Sequence, residues 1–193
     1  MAAAASKATL PPIKALILDF DSTISTPTFL KRVNTWCVAD NVQLFASMTP
    51  EEIVLNFGGP DRIATIKALL TELMAAKVEL YIVSIGHKVA IQPHLHKVGL
   101  LQPFFEPSRI FGQDCTELRQ VNFVKGRLID QIMKAQGWSH DDVLFVDDSM
   151  DHIEKAGPVC RTLHVTSKPT AGGMAQYEFE EIRRAAAGST PSS

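Results

Sequence analysis

The sequence predicts a doubly wound (Rossmann-like) α/β fold: a mostly parallel five-stranded sheet with helices on both faces and a small helical cap inserted after the first strand. Three observations predict it. Short apolar runs alternate with helical segments along most of the chain, the pattern that crossover-connected parallel strands require. The first, second and fourth of those runs end in polar residues, at Asp19 and Asp21, at Ser84, and at Asp147 and Asp148. Several strands therefore deliver polar side chains to one edge, and the carboxyl edge is where such sheets bind ligands. Finally, residues 25–59 break the alternation just after the first run, where an insertion would hang over that edge as a lid.

The elements follow in order. Residues 1–12 end in Pro11-Pro12 and read as a flexible arm. Lys14–Phe20 is the first strand, opening a domain that spans residues 13–185. The cap reads as two short helices, Thr28–Ala39 and Thr49–Asn56, anchored by Trp36, Leu44, Phe45 and Phe57. Thr49 is an N-cap followed by the acidic first turn Pro50-Glu51-Glu52. Pro60, after Gly58-Gly59, stands at a first helical position and opens Pro60–Ala76. Strand Val78–Ser84 precedes helix His87–Val98, which Gly99 ends. Strand Arg109–Phe111 precedes helix Asn122–Gln136, which Gly137 ends. Then come strand Val143–Val146, helix His152–Ala156, strand Thr162–Val165, a Gly172-Gly173 loop beside the site, and helix Met174–Ala185. Residues 186–193 are small, include Pro191, and read as a flexible tail.

At 193 residues the chain has length for one medium domain with a good core. Its net charge of −2, with no Lys/Arg stripe interleaved with aromatics, argues against a nucleic-acid partner. No apolar run approaches the roughly 20 residues of a membrane helix, so no membrane association is expected. Cys37, Cys115 and Cys160 are odd in number and lack CxxC spacing, which suits free thiols in a reducing compartment. The N-terminus has neither an h-region nor the Arg-rich character of a transit peptide, and the expected location is cytoplasmic.

The chemistry concentrates at Asp19-Phe20-Asp21. Strand side chains alternate faces, so Asp19 and Asp21 point the same way. Two carboxylates so placed repel unless a cation sits between them, one holds a proton, or water screens them. Val143-Leu144-Phe145-Val146-Asp147-Asp148-Ser149 repeats the design: an apolar strand, two acids, a hydroxyl. Between the two lie Ser84, at the end of Tyr81-Ile82-Val83-Ser84, and Lys125, near a helix start.

In chain order these are Asp-x-Asp-x-Thr, Ser, Lys and Asp-Asp, and the set resembles the haloacid dehalogenase-like (HAD) superfamily, phosphatase type. The resemblance runs from about Ile13 to Val165. It implies that Asp19 is a nucleophile forming an aspartyl-phosphate, and that Asp21 is the general acid that later activates water. It implies Mg²⁺ held by Asp19, the backbone carbonyl of Asp21 and a carboxylate of the second acid pair. Asp148 is the first choice for that carboxylate, with Asp147 supporting from behind. Ser84 and Lys125 would bind the phosphate, with Thr23 in a turn-supporting or binding role. One departure stands out: His152 occupies the place, four residues past Asp148, where many relatives carry an acid. Dehalogenase members lack an acid two residues after the nucleophile, so Asp21 points to phosphate-ester hydrolysis. The expected partner is a phosphorylated substrate, small molecule or phosphoprotein; the small lid leaves the site relatively open, and a homodimer could close it with a neighbour's surface. The competing expectation is a catalytically silent binding module. His87, His94 and His96 read as surface residues, with His87 able to reach the site's rim, and Lys31, Arg32 and Arg62 read as solvated charges.

Overall fold

The computed structural model describes residues 10–27, 38–166 and 172–188. Five strands, β1 (Ala15–Leu18), β2 (Glu79–Val83), β3 (Ile110–Phe111), β4 (Val143–Asp147) and β5 (Arg161–His164), form one sheet of order β3-β2-β1-β4-β5. Every pairing is parallel. The chain steps outward from β1 to β3, then returns across β1 to lay down β4 and β5. The order therefore reverses between β1 and β4, and the loops leaving their carboxyl ends diverge to open a crevice. Leu18 pairs with Val146, and the Asp19 amide donates to the Val146 carbonyl at 2.9 Å, which carries the pairing to the first acid of each motif.

Strand alternation sorts the core into two halves. Leu16, Leu18, Leu80, Ile82, Leu144 and Val146 face one side. There they meet α3 (Pro60–Ala75), α4 (Lys88–Lys97) and α8 (Gln176–Ala187). Ala15, Ile17, Tyr81, Val83, Val143 and Phe145 face the other. There they meet α5 (Thr116–Gln120), α6 (Lys125–Gln136) and α7 (Met150–Ala156). Strands covered on both faces read as continuous apolar runs, which is how these appear in the sequence.

The cap segment contains α1 (Val38–Ser47) and α2 (Pro50–Leu55). Thr49 and Glu52 form a reciprocal capping box at the start of α2. The expected helix Thr28–Ala39 falls largely outside the described residues, as do Trp36, Lys31, Arg32 and Cys37. Phe57 is fully buried, while Leu44 and Phe45 pack partly buried against the core.

Several boundaries move for identifiable reasons. α6 begins at Lys125, three residues later than expected, because Asn122 and Phe123 adopt left-handed φ of 55° and 60° in the turn that ends α5. α5 itself, five residues long, has no sequence signature. α8 continues to Ala187, and Gly188 (φ 77°) caps it. α4 receives a cap from a distance: Asp114, in the loop after β3, accepts from the amides of Lys88 at 2.7 Å and Val89 at 3.2 Å. Asp114→Ala is expected to cost about 1 kcal/mol. In a domain of this size that lowers Tm by roughly 2–4 °C, which a thermal melt would detect.

Two readings of charged residues are corrected. His94 is 0% exposed and His87 4%, so neither is a surface residue; the cap covers that face of α4. His96 is exposed. Arg62 is not simply solvated either. Its guanidinium donates to the carbonyls of Thr23, Ile24, Phe57 and Met174 at 2.6–3.1 Å, and so ties the entry and exit of the cap to the loop before α8. Burial holds its pKa down, at about 10. Among the described residues no helix is long and apolar enough to cross a membrane.

Candidate active site

The residues picked from sequence order meet at the carboxyl edge of the sheet. Lys125 Nζ lies 2.7 Å from Asp19 Oδ1 and 2.7 Å from Asp147 Oδ2, with all three side chains buried. Lys125 is the first residue of α6, where the helix dipole disfavours a cation. The two carboxylates supply what the helix end withholds. Gly126 lets the helix start come this close, because a Cβ there would stand 2.8 Å from the Lys155 carbonyl of α7. Asp147 Oδ1 also accepts the Ser149 amide at 2.8 Å, and Asp147 Oδ2 lies 3.2 Å from His152 Nδ1. His152, the departure noted in the sequence, therefore anchors the buried acid of the pair.

Carboxylate oxygens of Asp19, Asp147 and Asp148 lie within 4.8 Å of one another. Of the two adjacent acids, Asp147 is wrapped by protein donors while Asp148 is exposed, its backbone carbonyl accepting from His164 Nε2 at 3.0 Å. Ser84, 1% exposed, directly follows β2 and accepts the Gly86 amide at 3.1 Å. Its hydroxyl also favours the ionised form of the Asp19 carboxyl, against the larger upward push of burial.

Asp21 differs from Asp19. After Asp19 the chain turns tightly through Phe20–Ile24, with Ser22 at φ 59° and the Ser25 amide bonded back to the Phe20 carbonyl at 2.8 Å. This turn sets the Asp21 carboxyl over Gly86, where a Cβ would sit 2.5 Å from Asp21 Oδ2. Asp21 Oδ1 is buried without a hydrogen-bond partner. Thr23 is wholly buried; its carbonyl accepts from Met174 and Arg62, and its hydroxyl has no partner.

The electrostatics follow from four carboxylates around one ammonium. Burial pushes Asp21 up to about 7, with the neighbouring Asp19 charge adding to the shift. Burial likewise lifts Asp148 to about 6, again helped by Asp19. Asp19 is raised by burial in spite of Lys125. Burial also acts upward on Asp147, but the hydrogen bond from His152 and the Lys125 ammonium outweigh it and hold this carboxylate low. Lys125 resists the desolvation of its site because Asp19 and Asp147 keep its pKa raised. The set is short of positive charge, and its donors are hard carboxylate oxygens of the kind Mg²⁺ and Ca²⁺ select. A divalent cation fits it.

The sequence located Asp19, Asp21, Ser84, Lys125, Asp147 and Asp148, and these converge. It gave no function to His152, Asp114, Arg62 or Asn41. Their partners lie 5 to 112 residues away in the chain, and only His152, at the +4 position, left a local trace.

A doubly wound parallel sheet with an acid pair on each side of its switch point and a lysine between them defines the class: the chain has the haloacid dehalogenase-like fold. No family model matches the chain, and no curated protein matches it in sequence. Among solved structures it is similar to a haloacid dehalogenase-like hydrolase from Streptococcus pneumoniae, at 15% identity and a TM-score of 0.51, over 89% of this chain and 91% of that one. It is similar to a dehalogenase with a bound intermediate, at 13% identity and a TM-score of 0.53, over 83% of this chain and 88% of that one. It is also similar to DsGPDH of Dunaliella salina, at 14% identity and a TM-score of 0.55, over 88% of this chain but 29% of the other, so it spans under a third of that protein. At these identities the shared property is the fold.

Proposed function

We propose that this chain is a Mg²⁺-dependent phosphatase that hydrolyses a phosphate monoester through an aspartyl-phosphate on Asp19. The observation that carries the reading is the unequal treatment of two carboxylates, one just past the end of β1 and the other in the turn that follows. Asp19 has the Lys125 ammonium at 2.7 Å, while Asp21 has no donor on its buried oxygen and a pKa pushed up to about 7. A carboxylate paired with a cation is suited to attack, and a neutral carboxyl beside it is suited to give a proton. A leaving alkoxide needs that proton and a leaving halide does not, which favours ester hydrolysis over dehalogenation, although dehalogenases share the fold.

Asp19 attacks phosphorus as Asp21 protonates the leaving oxygen. Asp21, now a base, takes a proton from the water that attacks the phosphorylated Asp19, which releases phosphate and restores both groups. Ser84 and Lys125 hold phosphoryl oxygens and offset their charge, the electrostatic positioning on which phosphoryl transfer mostly depends. Thr23 steadies the turn that carries Asp21. Asp19, Asp148 and the Asp21 carbonyl would hold Mg²⁺, with Asp147 supporting the site. The ion supplies positive charge to the phosphoryl oxygens. The substrate is a phosphorylated small molecule or phosphoprotein, handled in the cytoplasm, where the free thiols Cys115 and Cys160 would persist.

The test is hydrolysis of p-nitrophenyl phosphate beside chloroacetate, with and without Mg²⁺. The expected result is ester turnover that a chelator stops and added Mg²⁺ restores. Release of chloride with no ester turnover would overturn the reading in favour of a dehalogenase.

A further inference from the structure

We propose that Arg62 is the positioning residue for Asp21: from α3 its guanidinium fixes the turn that sets the Asp21 carboxyl against the leaving oxygen. The part played by that carboxyl rests on the phosphatase reading.

The turn Phe20–Ile24 needs holding. Ser22 stands at φ 59°, a left-handed conformation that a residue with a side chain keeps only when its surroundings over-determine it. The turn's own hydrogen bonds close its two ends, from the Ser25 amide and hydroxyl to the Phe20 carbonyl at 2.8 and 3.1 Å. Between those ends the Asp21 carboxyl has no donor on its buried Oδ1. Its place is therefore set by the backbone of the turn and by the bare Gly86 beside it.

Two carbonyls tie that backbone to the rest of the protein, and both lead to Arg62. The Thr23 carbonyl accepts from Nη2 at 3.0 Å, and the Ile24 carbonyl accepts from Nη1 at 2.6 Å. Thr23 also accepts the Met174 amide at 2.9 Å, but the Met174 carbonyl in turn accepts from Arg62 Nε at 3.1 Å. Nη1 donates again, to the Phe57 carbonyl at 2.9 Å. A planar fork of N–H donors serves three chain segments at once, where an ammonium could not. Two glycines keep the way open for it. A Cβ on Gly173 would stand 2.5 Å from Arg62 Nη2, and one on Gly58 would stand 2.9 Å from Arg62 Cδ. The guanidinium is thus spent on carbonyls and acts on the reaction only through the turn. A general acid must lie within hydrogen-bond reach of the oxygen it protonates, and an error of about 1 Å can cost about 100-fold in rate.

The experiment compares kcat/KM, with Mg²⁺, for p-nitrophenyl phosphate and ethyl phosphate. The first leaving group departs with little help from an acid, while the second needs the Asp21 proton. Arg62→Lys should lower kcat/KM about 100-fold for ethyl phosphate and no more than about fivefold for p-nitrophenyl phosphate. Gly173→Ala keeps the arginine but displaces its guanidinium, so it should show the same selectivity, and it carries the test if Arg62→Lys does not fold. Gly137→Ala is the control for strain, since Gly137 has φ 68° with open space around it. It should lower Tm and leave the two esters in their wild-type ratio. In an Asp21→Asn background Arg62→Lys should change either rate by no more than about twofold, because no acid remains to be misplaced. Hydrogen exchange of the Ser25 amide reads the turn without turnover, and should quicken about 10-fold or more in Arg62→Lys. A wild type that hydrolyses neither ester, with that faster exchange in Arg62→Lys, would overturn the phosphatase reading and sustain the hold of Arg62 on the turn. An active wild type in which Arg62→Lys slows both esters alike would overturn the inference alone. So would a full effect of Arg62→Lys in the Asp21→Asn background, since the arginine would then act by another route. Unchanged exchange at Ser25 would overturn the inference whatever the activity.

Discussion

Asp19→Asn is expected to lower kcat by at least about 10⁴-fold, the scale seen when a covalent nucleophile is removed. Asp21→Asn should lower it by about 10²- to 10⁴-fold, the range for a lost acid–base group. The two variants separate in stability. In metal-free protein Asp21 titrates near 7 when folded and near 3.8 when unfolded, so the native state binds the proton more tightly. Stability from this group is present below the unfolded pKa and is lost as pH rises through the folded one. At about 1.4 kcal/mol per unit the loss is on the order of 4 kcal/mol, less what residual solvent contact screens. Asp21→Asn removes that penalty, and should unfold at higher urea than wild type at pH 8 with EDTA, yet match it near pH 4. An inactive variant that gains stability would mark Asp21 as a residue kept for chemistry at the expense of the fold. Equal urea midpoints at pH 8 would refute a raised pKa.

Lys125→Met should be the most destabilising single change in the site. The ammonium is 2% exposed and bridges two buried carboxylates at 2.7 Å each. Its loss leaves both without a counter-charge, which costs about 3–5 kcal/mol and lowers Tm by roughly 10 °C. The sign with pH is definite. Without the lysine Asp19, already raised by burial, rises further and Asp147 loses part of what holds it low, so the deficit grows from pH 4 to pH 8. Urea titrations at the two pH values in EDTA would show it. Lys125→Arg should rescue poorly, because a planar fork cannot reproduce a point charge between two oxygens in a packed pocket. A pH-independent deficit would point to lost packing against Phe145, 5.9 Å from the ammonium, as the cause.

The sheet and the acid site were legible because both are written locally. A buried parallel strand is a short apolar run, and an acid can follow it only at its end, so Leu18-Asp19 and Val146-Asp147 each mark a terminus in one dimension. The N-terminal boundaries of α2 and α3 were legible for a similar reason, since Thr49, Pro50, Gly59 and Pro60 act within one turn. The described part of α1 begins at the edge of residues 28–37, which lie outside the described residues, and it packs against α4. The buried histidines were misread because His87 and His94 are polar residues on a polar helix until a second element covers them. The start of α6 was misplaced because left-handed φ at Asn122 and Phe123 belongs to the end of the previous helix, with no glycine to announce it.

The way the cap is stitched to the body bears on how such proteins diversify. Where the chain leaves and re-enters, the Thr26 amide bonds the Asn56 carbonyl at 2.7 Å, and Arg62 grips Ile24 and Phe57 together. The two ends of the insert are thus neighbours, fastened by groups that lie outside it or at its margins. Whatever runs between them can be shortened, lengthened or transplanted without asking the sheet to refold, since loop length alone costs little. Asp19 and its neighbours stay in place while the surface above them is exchanged, so Thr26 and Asn56 mark where one insert could be grafted for another.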